Sequence, residues 1–167
     1  MKYVLFGLLF ISIAFSCQSE QEKMINAEFS KIQGHWSIES YSYSSVIAND
    51  IGISAAKRLR TGELMFNNCK YSDKAFAVPG RSCGGNFDIN GYIYGLSYNY
   101  NSGKYMLSLS VPYGADNKPV NNSFDKPIID LVYGEWTIET FDNKLKATQI
   151  KGYNDYNTLL SFTAIRK

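Results

Sequence analysis

The sequence predicts an all-β protein: an eight-stranded antiparallel up-and-down barrel preceded by a short N-terminal helix. Three observations lead there. Residues 83–113 read as three strands joined by two tight turns, and the turn arithmetic keeps the apolar side chains on one face. A further turn, Asp142-Asn143, sets two more strands in register. Helical patterning is too scarce to cover a sheet of this size, so closing the sheet on itself is what hides its edges. A two-layer sandwich of the same strands is the competing arrangement.

The meander is anchored by Asn90-Gly91, because a type I′ turn needs φ > 0 at both central residues. That turn pairs Ile89 with Tyr92 and Phe87 with Tyr94. Ser102-Gly103 pairs Tyr100 with Tyr105, Tyr98 with Leu107, Leu96 with Leu109 and Tyr94 with Val111. All of these share one face, while Asn86, Asp88, Ser97, Asn99, Ser108 and Ser110 occupy the other. A one-residue slip would invert a whole strand, so the register is strongly specified.

The remaining elements follow in order. Residues 24–32 form a short helix with Ile25, Phe29 and Ile32 on one side. Gly34-His35-Trp36 opens the first strand, with Trp36 and Ile38 inward. Asn49-Asp50 caps a second short helix carrying Ile51, Ala55 and Leu59, with Lys57, Arg58 and Arg60 exposed. Residues 63–67 make the second strand, with Leu64 and Phe66 inward. Residues 70–82 and 114–127 read as long loops around Pro79-Gly80, Pro119 and Pro127. The sixth strand holds Trp136, Ile138 and Thr140; the next turn pairs Thr140 with Leu145 and Ile138 with Ala147. The last strand points Leu160, Phe162 and Ala164 inward.

The N-terminus carries an export pattern: Lys2, then an apolar run over residues 4–15 too short for a comfortable membrane span. It ends in Ala14-Phe15-Ser16-Cys17, which resembles a bacterial lipobox. The resemblance implies diacylglycerol transfer to the Cys17 thiol, cleavage before it and acylation of the new amine. The implied organisation is a signal peptide over 1–16, the lipidated cysteine and a tether over 17–23, and the barrel over 24–167. By analogy Gln18 favours the outer membrane, and Glu20 and Glu22 loosely resemble a surface-export signal of Bacteroidota. The expected location is therefore the cell envelope, as an outer-membrane lipoprotein facing the periplasm or the surface. The lipid would be the chain's only attachment to the membrane.

The chain has 17 basic and 15 acidic side chains, too even a balance to steer it to nucleic acid. With Cys17 assigned to lipid, Cys69 and Cys83 are the remaining pair. They form either a disulfide, as suits an oxidising compartment, or two buried thiols. Cys83 has inward parity and Cys69 outward parity, a mismatch that a bulge at Asn67-Asn68 would remove.

Gly34-His35-Trp36 resembles the Gly-x-Trp that opens the first strand of lipocalins. Glu135-Trp136-Thr137-Ile138, a Leu-x-Ala strand and a closing Leu-x-Phe strand are similar to small lipocalin-like lipoproteins of Bacteroidota. The resemblance spans residues 34–167 and implies that a basic residue near the C-terminus packs across the Trp. Arg166 over Trp36 is the expected barrel closure. It also implies an interior able to hold one small ligand.

No catalytic constellation emerges, so the chain is not expected to be an enzyme, and no cofactor is expected. His35 is the only histidine and has outward parity, which excludes multi-histidine metal sites. Residues 79–85 are glycine-rich but lack the Gly-Lys-Ser/Thr ending of a phosphate loop. The inward tyrosines 92, 94, 98, 100 and 105 are unusual, since each buried hydroxyl needs a partner. They either fill a core or line an amphipathic cavity. The candidate ligand contacts, near the long-loop mouth, are Ile89, Tyr92, Tyr94, Val111, Tyr113 and Trp136. The leading expectation is an envelope protein holding a small apolar or aromatic ligand in the barrel. The alternative is a filled barrel that engages a protein partner, or inhibits an enzyme, through its loops.

Overall fold

The computed structural model describes residues 19–46, 50–72, 81–112, 125–152 and 156–167. Eight antiparallel strands close into one barrel in simple chain order. They are β1 (Gly34–Ser45), β2 (Glu63–Tyr71), β3 (Arg81–Ile89), β4 (Tyr92–Asn101), β5 (Lys104–Leu109), β6 (Gly134–Phe141), β7 (Lys144–Gly152) and β8 (Thr158–Arg166). Among the described residues three helices accompany them: α1 (Glu20–Ile32), α2 (Ile51–Ala56) and α3 (Lys126–Val132).

The turn arithmetic holds. Ile89 faces Tyr92 and Phe87 faces Tyr94. Leu96, Tyr98 and Tyr100 face Leu109, Leu107 and Tyr105. Asn90 and Gly91 both have positive φ, 53° and 78°, as the type I′ turn requires. On the far side, Ile138 pairs with Ala147 and Thr140 with Leu145. β5 ends at Leu109, and the Ser110 amide still donates to the Gly95 carbonyl at 2.9 Å, so the same register runs on past the strand toward Val111.

Closure is asymmetric. β1 pairs with β8 from Trp36 to Ser45 but with β2 only from Gly34 to Ser37. Beyond that point the chain just before β2 takes over, with the Ile38 amide donating to the Gly62 carbonyl at 2.9 Å. A bulge between Ile38 and Ser40 turns β1 at the same level.

The first helix begins earlier than the sequence pattern suggests. Ser19 caps it, its hydroxyl accepting from the Glu22 amide at 3.0 Å, so residues expected in the tether are helical. Ile25, Phe29 and Ile32 are buried and close the barrel end where β1 starts and β8 finishes. Trp36 donates its indole N–H to the Ile32 carbonyl at 2.7 Å, and the Arg166 guanidinium lies 4.6 Å over the Trp36 ring. Arg166 also donates to the Lys31 carbonyl.

The second helix differs in face. Its buried residues are Gly52, Ala55 and Ala56, whereas Ile51 is 58 % exposed and Leu59 lies beyond the helix, half-buried. Close packing against β8 selects this face: a Cβ at Gly52 would meet the Thr158 side chain at 2.6 Å. The third helix lies where the sequence reading runs from loop directly into strand. Pro127 occupies its first turn and Ile128, Ile129, Leu131 and Val132 are buried. α2 and α3 pack together at the barrel end opposite α1.

β2 is longer than expected, because a bulge between Phe66 and Asn68 carries it on to Tyr71. The bulge restores parity, sets Cys69 opposite Cys83, and the two form a disulfide. Cys17 and Tyr113 lie outside the described residues.

Candidate functional site

The barrel interior is a packed aromatic core. Phe162 sits at its centre, with ring centroids 5.4 Å from Trp136, 5.6 Å from Phe87 and 6.1 Å from Tyr41. Tyr94 joins through Phe87 at 5.9 Å. Near α1 a second group forms, in which Tyr98 meets Phe29 at 5.9 Å and Tyr105 at 5.8 Å. Contacts of this kind fill the volume that a hollow barrel would leave open.

The sequence-predicted contacts therefore separate. Ile89, Tyr94 and Trp136 are buried core residues. Val111 is half-buried past the end of β5. Tyr92 alone among the described candidates lines an open cleft. Its hydroxyl donates to Asp125 at 2.6 Å, tying the start of β4 to the residue that precedes α3.

Three polar atoms inside the barrel have no hydrogen-bond partner among the described residues: Tyr41 Oη, Tyr94 Oη and Trp136 Nε1. All belong to the cluster around Phe162 and Phe87. Burial pushes the Tyr41 and Tyr94 phenols well above their ordinary range, so both stay neutral at any physiological pH. An unpartnered buried hydroxyl costs on the order of 1–3 kcal/mol.

The cleft lies at the α2–α3 end and has a volume of ≈ 570 Å³. Its wall is residues 57–60, joined by Asn90, Tyr92, Asp125 and Ile128. Asn90 fixes this wall with both ends of its amide: Nδ2 donates to the Arg58 carbonyl at 3.0 Å, and Oδ1 accepts from the Arg60 amide at 2.8 Å. One residue thus serves the β3–β4 turn and holds the basic segment. Arg58 approaches Asp125 at 3.9 Å. The sequence marked Lys57, Arg58 and Arg60 only as an exposed helix face; the connection from Asn90 to them spans some 30 residues and leaves no local signal.

The opposite end has a basin of ≈ 660 Å³ along Ser30, Lys31, residues 140–143 and Arg166. Its cations are committed, Lys31 to Glu28 at 2.6 Å and Arg166 to Trp36 and α1. His35 is on the outer surface, its Nε2 2.8 Å from Glu63, which Lys167 also engages. Among the described residues no three His, Cys, Asp or Glu side chains gather as a metal site. No described helix is long and apolar enough to cross a membrane.

No family model, curated protein or solved structure matches this chain.

Proposed function

We propose that this chain is a lipid-anchored envelope protein of the lipocalin-like kind, whose work is binding rather than catalysis. Its barrel is the scaffold, and the binding surface is the cleft at the α2–α3 end. The observation that carries this reading is the packed interior: Ile89, Tyr94, Trp136 and Phe162 are each 1 % exposed or less, with α2 and α3 beside the mouth. A ligand site there would require the core to be rebuilt, whereas the cleft is already formed and rimmed by Asn90 and Tyr92.

The test combines anchor and occupancy. Cells expressing the chain and fed labelled palmitate should label it, and Cys17→Ser should abolish the label. The chain from residue 18 onward, lacking the lipid and held in detergent-free buffer, should leave an apolar naphthylamine fluorophore dim and the emission of its two tryptophans unchanged. Saturable uptake of the fluorophore, with energy transfer from Trp136, would overturn the filled-scaffold reading.

A second reading keeps a small ligand inside the barrel. The unpartnered Tyr41, Tyr94 and Trp136 atoms favour it, because polar atoms directed into a core are what an interior ligand would satisfy. The fluorophore experiment separates the two.

A further inference from the structure

We infer that the cleft at the α2–α3 end binds a small organic anion: one carboxylate or phosphate group carried on an apolar body. This deepens the binding role proposed above and rests on it.

Charge is the first argument. Among the described residues, Lys57, Arg58 and Arg60 bring three cations to one wall, against a single carboxylate, Asp125. Asp125 already accepts from Tyr92 and lies near Arg58, so it is partly neutralised from within the cleft. Among the described residues no carboxylate stands within ion-pair distance of Lys57 or Arg60. Such a wall in a concave surface concentrates anions, and arginine suits planar carboxylate and phosphate oxygens.

Order is the second. A flexible basic segment loses conformational entropy when it captures an anion. Here the backbone from Arg58 to Arg60 is already held at both ends by the Asn90 amide. Preorganisation of this kind reduces the cost of binding. The neighbouring cleft of ≈ 480 Å³, which shares Arg60 and Asn90, includes Glu63 and Asp88 and so lacks the excess of cations.

The apolar body follows from the remaining lining. Leu59, Ile128 and the Tyr92 ring complete the surface beside the cations. A volume of ≈ 570 Å³ suits a small molecule of this composition. Inorganic phosphate alone would leave those side chains uncovered.

The experiment titrates the full isotope-labelled chain, in non-ionic detergent, with phenylacetate, phenyl phosphate, inorganic phosphate and the neutral 2-phenylethanol. Both organic anions should shift the amide signals of residues 57–60, 90, 92 and 125–128, with 2-phenylethanol at least about tenfold weaker. A difference between the two anions assigns the head group as carboxylate or phosphate. Arg58→Gln with Arg60→Gln should weaken both by about tenfold or more. Asn90→Gly keeps a turn-competent residue and removes the amide clamp, so it should weaken binding without unfolding the chain. Equal binding of 2-phenylethanol at the cleft would overturn the anion assignment and leave the binding role standing. Shifts spread evenly over Lys144, Lys146 and the other exposed lysines, or inorganic phosphate binding as well as phenyl phosphate, would also overturn it. Silence of the cleft toward all four probes at about 10 mM would remove both the assignment and the cleft as the binding surface.

Discussion

Asp50 joins two distant parts of the chain. Its carboxylate accepts from the Gly52 amide at 3.1 Å as the α2 cap and from the buried Thr158 hydroxyl at 2.8 Å. The Gly52 amide, with Thr158 in support, holds this carboxyl below its ordinary value of 3.8. Lys167 first, and then His35, lowers Glu63 below 4.5. A depressed carboxyl contributes stability that is complete above its unfolded value and is lost as pH falls through the folded one. Thermal midpoints should therefore be flat from pH 7 to about 5 and fall below about 4. Asp50→Asn should shallow that fall; an unchanged acid slope would show that the cap is not linked to protonation. Tyr94 offers the reverse test. If its hydroxyl has no partner, Tyr94→Phe should be neutral or stabilising by about 1 kcal/mol. A loss of similar size in urea denaturation would mean that an interior partner satisfies the phenol.

At the scale of elements, α3 is the piece that decides the site. Gln149 binds it to the barrel: Nε2 donates to the Leu131 carbonyl at 3.0 Å, and Oε1 accepts from the Leu160 amide at 3.2 Å. β7 and β8 pair only as far as Thr148 opposite Ser161, so the Gln149 side chain continues where the ladder stops. Gln149→Leu would remove the side-chain partner of the Leu131 and Tyr133 carbonyls and of the Leu160 amide, and should cost about 2 kcal/mol or more in denaturant. The strands and their faces were legible because period-two alternation and two-residue turns fix register locally. Leu64, Phe87, Leu107 and Ala164 are all buried as that alternation requires. The Asn67-Asn68 bulge was legible because it reconciled two cysteines. α3 escaped because Ile128, Ile129, Leu131 and Val132 form a short apolar run in which helical and extended patterns look alike. Asp125, Lys126 and Pro127 before it were the available signal for a helix start. The cleft escaped for another reason: its clamp is Asn90, a residue fully explained by its turn.

For the whole molecule, rigidity comes from a filled cylinder and one covalent cross-link. The Cys69–Cys83 disulfide closes a separation of 14 residues, and its loss should cost about 3 kcal/mol. Cys69→Ala with Cys83→Ala should thus lower the denaturation midpoint while leaving the cleft's ligand response intact, since the bridge lies toward the α1 end. Phe162→Ala should cost about 3–5 kcal/mol, because the ring touches three other aromatics and leaves a cavity behind.

The seam between β1 and β8 has a consequence for the order of events in a cell. The first strand of the barrel waits for the eighth: Trp36 pairs with Arg166, and the Lys167 amide donates to the His35 carbonyl at 2.9 Å. A nascent chain cannot close its sheet until β8 is made, and such distant pairing is slow. Until then the sheet keeps two open edges. A chain cut before Thr158 would be left with two raw edges and should aggregate rather than accumulate as a smaller barrel.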